Sequence, residues 1–125
     1  MKIKQLSVFV ENKTGRINEV TQILGSNGVN MTAFSLADSG EFGILRMIVS
    51  DVGRAVSALK EARFGISVTE VVCFCCPNEP GALSIVLDCL AREDVFIEYM
   101  YAFSDGDTAR VVIRPTDLDR CIEIL

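Results

Sequence analysis

The strongest constraint on this chain is an internal repeat that holds one register along almost its whole length. Asn12-Lys13-Thr14-Gly15 returns as Asn78-Glu79-Pro80-Gly81. The same offset carries Val20 onto Val86, Leu24 onto Leu90, Val29 onto Val95, Gly40 onto Gly106, Asp51 onto Asp117 and Leu59 onto Leu125 without a gap. Each copy must therefore be one supersecondary unit, and the fold must be built from two of them.

Within a copy the pattern alternates between strand and helix periods. Leu6 to Val10, and Val71 to Cys76, are short apolar runs closed by polar turns, which suits buried strands. A helix follows each run. In the first copy Ile17, Val20, Ile23 and Leu24 make its apolar stripe, with Thr14 expected as its cap and Gly28 as its stop; in the second, Leu83, Val86, Leu87 and Leu90 do so. Two strands then meet at Asp and Gly turns: Val29 to Ala37 and Phe42 to Val49 around Asp38-Ser39-Gly40, and Val95 to Phe103 and Ala109 to Ile113 around Asp105-Gly106-Asp107. A second helix starts behind Asp51 or Asp117 as N-cap, and in the first copy a last strand, Ile66 to Glu70, runs into the next copy.

The order strand, helix, strand, strand, helix, strand is the α+β, ferredoxin-like βαββαβ plan, here repeated twice. Residues 1–70 are expected to form the first domain and 71–125 the second, which ends without its last strand, so that its edge is left for a partner or for chain beyond Leu125. Units this small rarely gain more than about 3–5 kcal/mol from their own core. Side-by-side pairing of the two sheets and a homodimer are therefore expected.

Composition narrows function. The 125 residues carry a net charge of −5, opposite to the field a phosphate backbone needs, which argues against nucleic acid. No apolar run approaches the roughly 20 residues of a bilayer span, and the first residues lack a signal-peptide pattern, so a cytoplasmic location without membrane contact is expected. Five cysteines, an odd number, read as free thiols. The absence of histidine removes the commonest general base and metal ligand together, and no nucleophile pairs with a base, so neither an enzyme nor a cofactor is expected.

The run Glu11-Asn12-Lys13-Thr14-Gly15-Arg16-Ile17 leading to Gly28-Val29-Asn30-Met31, and its partner Asn78-Glu79-Pro80-Gly81-Ala82-Leu83 leading to Val95-Phe96-Ile97, resemble the ACT domains, small-molecule sensors of amino-acid metabolism. The resemblance implies a free amino acid held where the first loop of one domain meets the second strand of its neighbour. Asn12 and Asn78 are the expected contacts to the zwitterion. Backbone of Thr14, Gly15, Arg16 and Ile17, and of Pro80, Gly81, Ala82 and Leu83, would hold the carboxylate, since a helix entrance offers unpaired N–H groups. Asn30 and Met31, or Phe96, Ile97 and Glu98, would close the pocket. Thr14 stands where the family usually has proline, so the two sites are expected to differ. The apolar residues around the second strands favour an apolar ligand side chain, while Thr32 and Glu98 also suit a polar one.

Three other constellations have plainer readings. Cys73, Cys75 and Cys76 lack the spacing of paired thiol ligands and are expected as small buried hydrophobes. Tyr99, Tyr101 and Phe103 share one strand face and suit packing. Asp38, Glu41, Asp105 and Asp107 decorate turns, and Ser35, Ser39 and Ser104 have no base beside them. The chain thus reads as a stand-alone, non-catalytic regulator that reports a bound amino acid to a metabolic enzyme, or alternatively as an assembly module without ligand.

Overall fold

Strand and helix periods in the sequence become ten elements among the described residues. They are β1 Lys2–Glu11, α1 Arg16–Ser26, β2 Met31–Asp38, β3 Phe42–Val49, α2 Val52–Glu61, β4 Gly65–Pro77, α3 Ala82–Arg92, β5 Ile97–Asp105, β6 Thr108–Pro115 and α4 Leu118–Ile124. The structure, a computed structural model, describes residues 1–38 and 40–125; Ser39, at the expected first turn, lies outside the described residues. The chain packs as two compact units, one of Lys4–Thr69 and one of Met1–Ile3 with Glu70–Leu125. Two ferredoxin-like repeats are present.

In the unit Lys4–Thr69 the strands lie in the order β2-β3-β1-β4, with β3 antiparallel to both β1 and β2. The period of two puts Leu6, Val8 and Val10 of β1 and Leu45, Met47 and Val49 of β3 on one face. Against it lie Val20 and Leu24, four apart on α1, and Ala55 and Leu59, four apart on α2, with Phe64 closing the core.

The second unit repeats the plan, with Val72 and Cys76 on β4 and Val111 and Ile113 on β6 packed under Leu90 and Cys121. Among the described residues no strand follows α4. Its place is taken by the first residues of the chain: the Met1 ammonium donates to the Cys73 carbonyl at 3.0 Å and the Cys73 N–H donates to the Met1 carbonyl at 2.8 Å. Lys2 reaches Asp119 at 3.6 Å and Glu70 at 3.8 Å. Met1–Ile3 thus belong to this unit and meet β4 at the Met1–Cys73 pair.

Several element ends follow the expected chemistry. Asp51 and Asp117 cap α2 and α4, each carboxylate accepting the backbone N–H three residues on at 3.0 Å. Gly28 takes φ of 70° just beyond Asn27. Val29 and Val95, expected to open strands, instead donate back to Leu24 and Leu90 at 2.9 and 3.0 Å, which closes the helix ends and delays β2 and β5 by two residues. The expected strand Ile66 to Glu70 is continuous with Val71 to Cys76 as β4.

Thr14 does not cap α1. Arg16 N–H donates to the Lys13 carbonyl at 3.2 Å, and Gly15, with φ of 89° and ψ of −12°, is the N-cap without a side-chain hydrogen bond. These angles place glycine at the third position of a type II turn, where a positive φ is required, and Thr14 at the second position, one that proline suits. Glu79-Pro80-Gly81-Ala82 makes the same turn, with Gly81 at φ of 84° and the Ala82 N–H on the Glu79 carbonyl at 3.3 Å.

Candidate functional site

The two type II turns lead directly into α1 and α3, whose N-caps Gly15 and Gly81 make no side-chain cap hydrogen bond. A Cβ built on Gly15 or Gly81 would meet nothing within 4 Å, so the glycines are demanded by backbone angle and leave open space above the turn.

In the Lys4–Thr69 unit this loop forms one wall of a cavity of 210 Å³ lined by Val10, Glu11, Asn12, Lys13, Ile17, Leu36, Ala37, Asp38 and Gly43. The hairpin register explains the convergence. Glu11 pairs with Phe42 and Asp38 with Gly43, so β3 carries the end of β2 to the end of β1. The floor is aliphatic: Val10 is buried, whereas Ile17 and Leu36 are 39% and 51% exposed and face the opening.

Polar groups line the same cavity. The Lys13 ammonium sits 3.1 Å from the Glu11 carboxylate, and its hydrogen bond and charge hold the Glu11 carboxyl below the usual glutamate range. Asn12 donates its side-chain N–H to the Gly40 carbonyl at 3.1 Å, which fixes the amide with its oxygen as the remaining acceptor. Asp38 accepts the Gly40 N–H at 3.0 Å. A second cavity, of 400 Å³, shares Glu11, Asn12 and Lys13 with the first and is lined further by Gly40, Glu41 and Phe42.

The second unit differs. Its loop opens on a cavity of 320 Å³ lined by Cys75, Cys76, Pro77, Glu79, Pro80, Gly81, Ala82, Ile85 and Val86, with no residue from β5. Asn78 donates its backbone N–H to the Asp107 carbonyl at 2.9 Å but does not line this cavity, and neither does Leu83.

Of the residues expected in the first site, Asn12 and Ile17 line the cavity, while Thr14, Gly15 and Arg16 do not. Arg16 turns away from it: its guanidinium donates to Glu19 at 2.7 Å and stacks over the Phe64 ring at 4.7 Å, with Nε buried. Asn30 and Met31 stand at the opposite end of β2. Seven residues of strand at about 3.3 Å each separate Met31 from Asp38, roughly 23 Å. Asn30 there exchanges backbone contacts with Ser50, at 2.9 Å to its hydroxyl. Phe96, Ile97 and Glu98 occupy the matching place in the second unit; the Phe96 carbonyl accepts the Thr116 N–H at 3.0 Å and Glu98 lies 3.8 Å from Arg114. Within either unit, then, loop and strand start are not brought together.

The cavity residues that sequence reasoning passed over are chiefly Leu36, Ala37 and Asp38. Their signal was the hairpin itself, since a ferredoxin-like order returns the end of β2 to the first loop. All five cysteines are free. Cys73, Cys76 and Cys121 are buried, and desolvation pushes the Cys73 and Cys121 thiols up. Cys75 and Cys89 are exposed, against the expectation that the Cys73 cluster is wholly buried; Cys75 shares a strand face with the buried Cys73 but lies nearer the end of β4. Tyr99, Tyr101 and Phe103 share one half-buried face of β5. Among the described residues no helix is long and apolar enough to cross a membrane, and no group of three or more His, Cys, Asp or Glu is placed to hold a metal.

Known proteins share this arrangement. A crystal structure of a protein from Bacteroides thetaiotaomicron is 52% identical, with a TM-score of 0.95 over 100% of this chain and 87% of that one. The ligand-free regulatory subunit of aspartate kinase from Thermus thermophilus is 13% identical, with a TM-score of 0.70 over 97% of this chain and 89% of its own. The corresponding subunit from Thermus flavus is 12% identical, with a TM-score of 0.67 over 99% and 92%. At these low identities the two subunits share the fold alone. Curated proteins include no match. The model of the ACT domain pair matches residues 1–125, and the chain belongs to that family.

Proposed function

We propose that this ACT domain pair is a non-catalytic regulator that binds a free amino acid at its helix-entry loops and passes the bound state to a partner, a metabolic enzyme. The observation that carries the reading is the first-unit cavity. There a fixed Asn12 amide and the Lys13 and Glu11 charges stand beside the aliphatic Val10, Ile17 and Leu36. A zwitterion needs both signs of charge within one small site, and few surface depressions supply them beside apolar surface. The family and the regulatory subunits that share its fold support the same reading. Binding changes a partner only if the ligand has different affinities for two arrangements, so a homodimer or a docked enzyme is part of the proposal. The cytoplasm, where free amino acids and reduced thiols coexist, is the proposed location.

A thermal melt of the purified chain against each of the twenty amino acids at millimolar concentration tests this. Ligand at a hundred times its dissociation constant adds about 2.7 kcal/mol and moves the midpoint by several degrees. A shift with one amino acid or a related group is expected; no shift with any of them overturns the sensor reading.

One observation favours the alternative of an assembly module. β2 and β5 end their strand orders, and they expose Phe34 at 61%, Leu36 at 51% and Met100 at 43%, apolar groups on strands that lack the usual edge protection by lysine or proline. Sedimentation of the chain with and without amino acids separates the two: an oligomer indifferent to every amino acid supports assembly alone.

A further inference from the structure

The first-unit cavity carries more than the presence of a ligand; its lining constrains the ligand's side chain. Val10, Ile17 and Leu36 come from three different elements, β1, α1 and β2, and meet at one floor. Ile17 and Leu36 remain 39% and 51% exposed there, although Val20 and Leu24 on the same helix and Leu45 opposite Leu36 are fully packed. Glu11, Lys13 and Asp38 line the same cavity. Three aliphatic side chains from three elements suit a branched aliphatic ligand side chain.

The repeat supplies a contrast within the same chain. The residues that match Leu36, Lys13 and Asp38 in the second copy are Ala102, Glu79 and Ser104. The aliphatic wall, the cation and the carboxylate are replaced together, and the second-unit cavity does not reach β5. We infer that the first-unit cavity selects a branched-chain aliphatic amino acid, its side chain on Val10, Ile17 and Leu36, and that the second-unit loop does not bind the same ligand. In this arrangement the α-carboxylate lies by Lys13 and the α-ammonium by Asp38 and the Asn12 amide oxygen. The inference rests on the amino-acid-sensing reading above and narrows it.

Titration calorimetry of the full chain with L-valine, L-leucine, L-isoleucine, L-alanine, L-aspartate and L-lysine tests it. Each methylene lost from a hydrophobic pocket weakens binding by about tenfold or more, so L-alanine is expected at least a hundredfold weaker than the best branched ligand. Binding is expected at one site per chain. Leu36→Ser and Ile17→Ser are expected to weaken it tenfold or more, and Ala102→Ser to leave it unchanged. Circular dichroism of each variant confirms folding, and Leu36→Ala serves if the serine variant does not fold. Preference for a charged amino acid, two equivalent sites, or indifference to Leu36 and Ile17 overturns this inference while leaving amino-acid sensing intact. Failure of every amino acid to bind overturns both.

Discussion

Replacing Gly15 or Gly81 by alanine separates the backbone's demands from those of packing. Both glycines sit in the left-handed region, at φ of 89° and 84°, while a Cβ at either would meet no atom within 4 Å. The cost of alanine is therefore conformational and carries no clash: an L-residue held in the left-handed region loses about 1–2 kcal/mol. Gly25 provides the opposite sign. It lies inside α1 without positive φ, and its Cβ would also meet nothing within 4 Å, so Gly25→Ala should stabilise by about 0.5–1 kcal/mol. Urea unfolding of the three variants at one temperature, followed by far-UV circular dichroism, measures these differences as shifts in midpoint at unchanged slope. If Gly15→Ala and Gly25→Ala shift the midpoint in the same direction, the type II turn at the entrance of α1 is not the conformation in solution. The site built on it then fails as well.

Removing a helix cap should be visible on its own: Asp51→Ala and Asp117→Ala are each expected to cost about 1 kcal/mol in chemical denaturation, with Asn at either position restoring most of it. Under native conditions Ellman's reagent should react quickly with two thiols, Cys75 and Cys89, and reach Cys73, Cys76 and Cys121 only on unfolding; rapid reaction of all five would contradict the packing. Burial raises the folded-state Cys73 and Cys121 values, so the folded state holds those protons longer than the unfolded one. Their contribution is complete below the ordinary thiol value near 9.0 and is lost as pH rises from there through the raised folded-state values, and Cys121→Ala should flatten that alkaline loss of stability. Lys13→Ala should return the Glu11 carboxyl upward towards its ordinary range in a carbon-detected NMR titration, since the Lys13 hydrogen bond is the main cause of its lowering.

Much of this molecule was legible in the sequence because its signals are local. The alternation of Leu6, Val8 and Val10, the i, i+4 pair Val20 and Leu24, and the caps Asp51 and Asp117 each depend on a few neighbouring residues, and the repeat supplied every one of them twice. The pairing of Met1 with Cys73 on β4 was not legible, since it joins residues 72 positions apart through backbone groups that carry no side-chain signature. Of the cavity lining, Asn12 and Ile17 were named from the loop sequence, whereas Leu36 and Asp38, which reach the cavity through the β2–β3 register, were not. Thr14 misled because a hydroxyl before a helix usually caps it, whereas here the type II turn sets the chain direction first.

The central claim is that amino acids bind at the helix-entry loop, and a titration of the nitrogen-15-labelled chain followed by backbone amide shifts tests it most directly. The account predicts saturable shifts concentrated at the amides of Asn12 to Ile17 and of Leu36 to Asp38, with Asn30, Met31 and the α2 amides unmoved. Spectra unchanged at saturating concentrations of every amino acid, or shifts centred away from that loop, would contradict it.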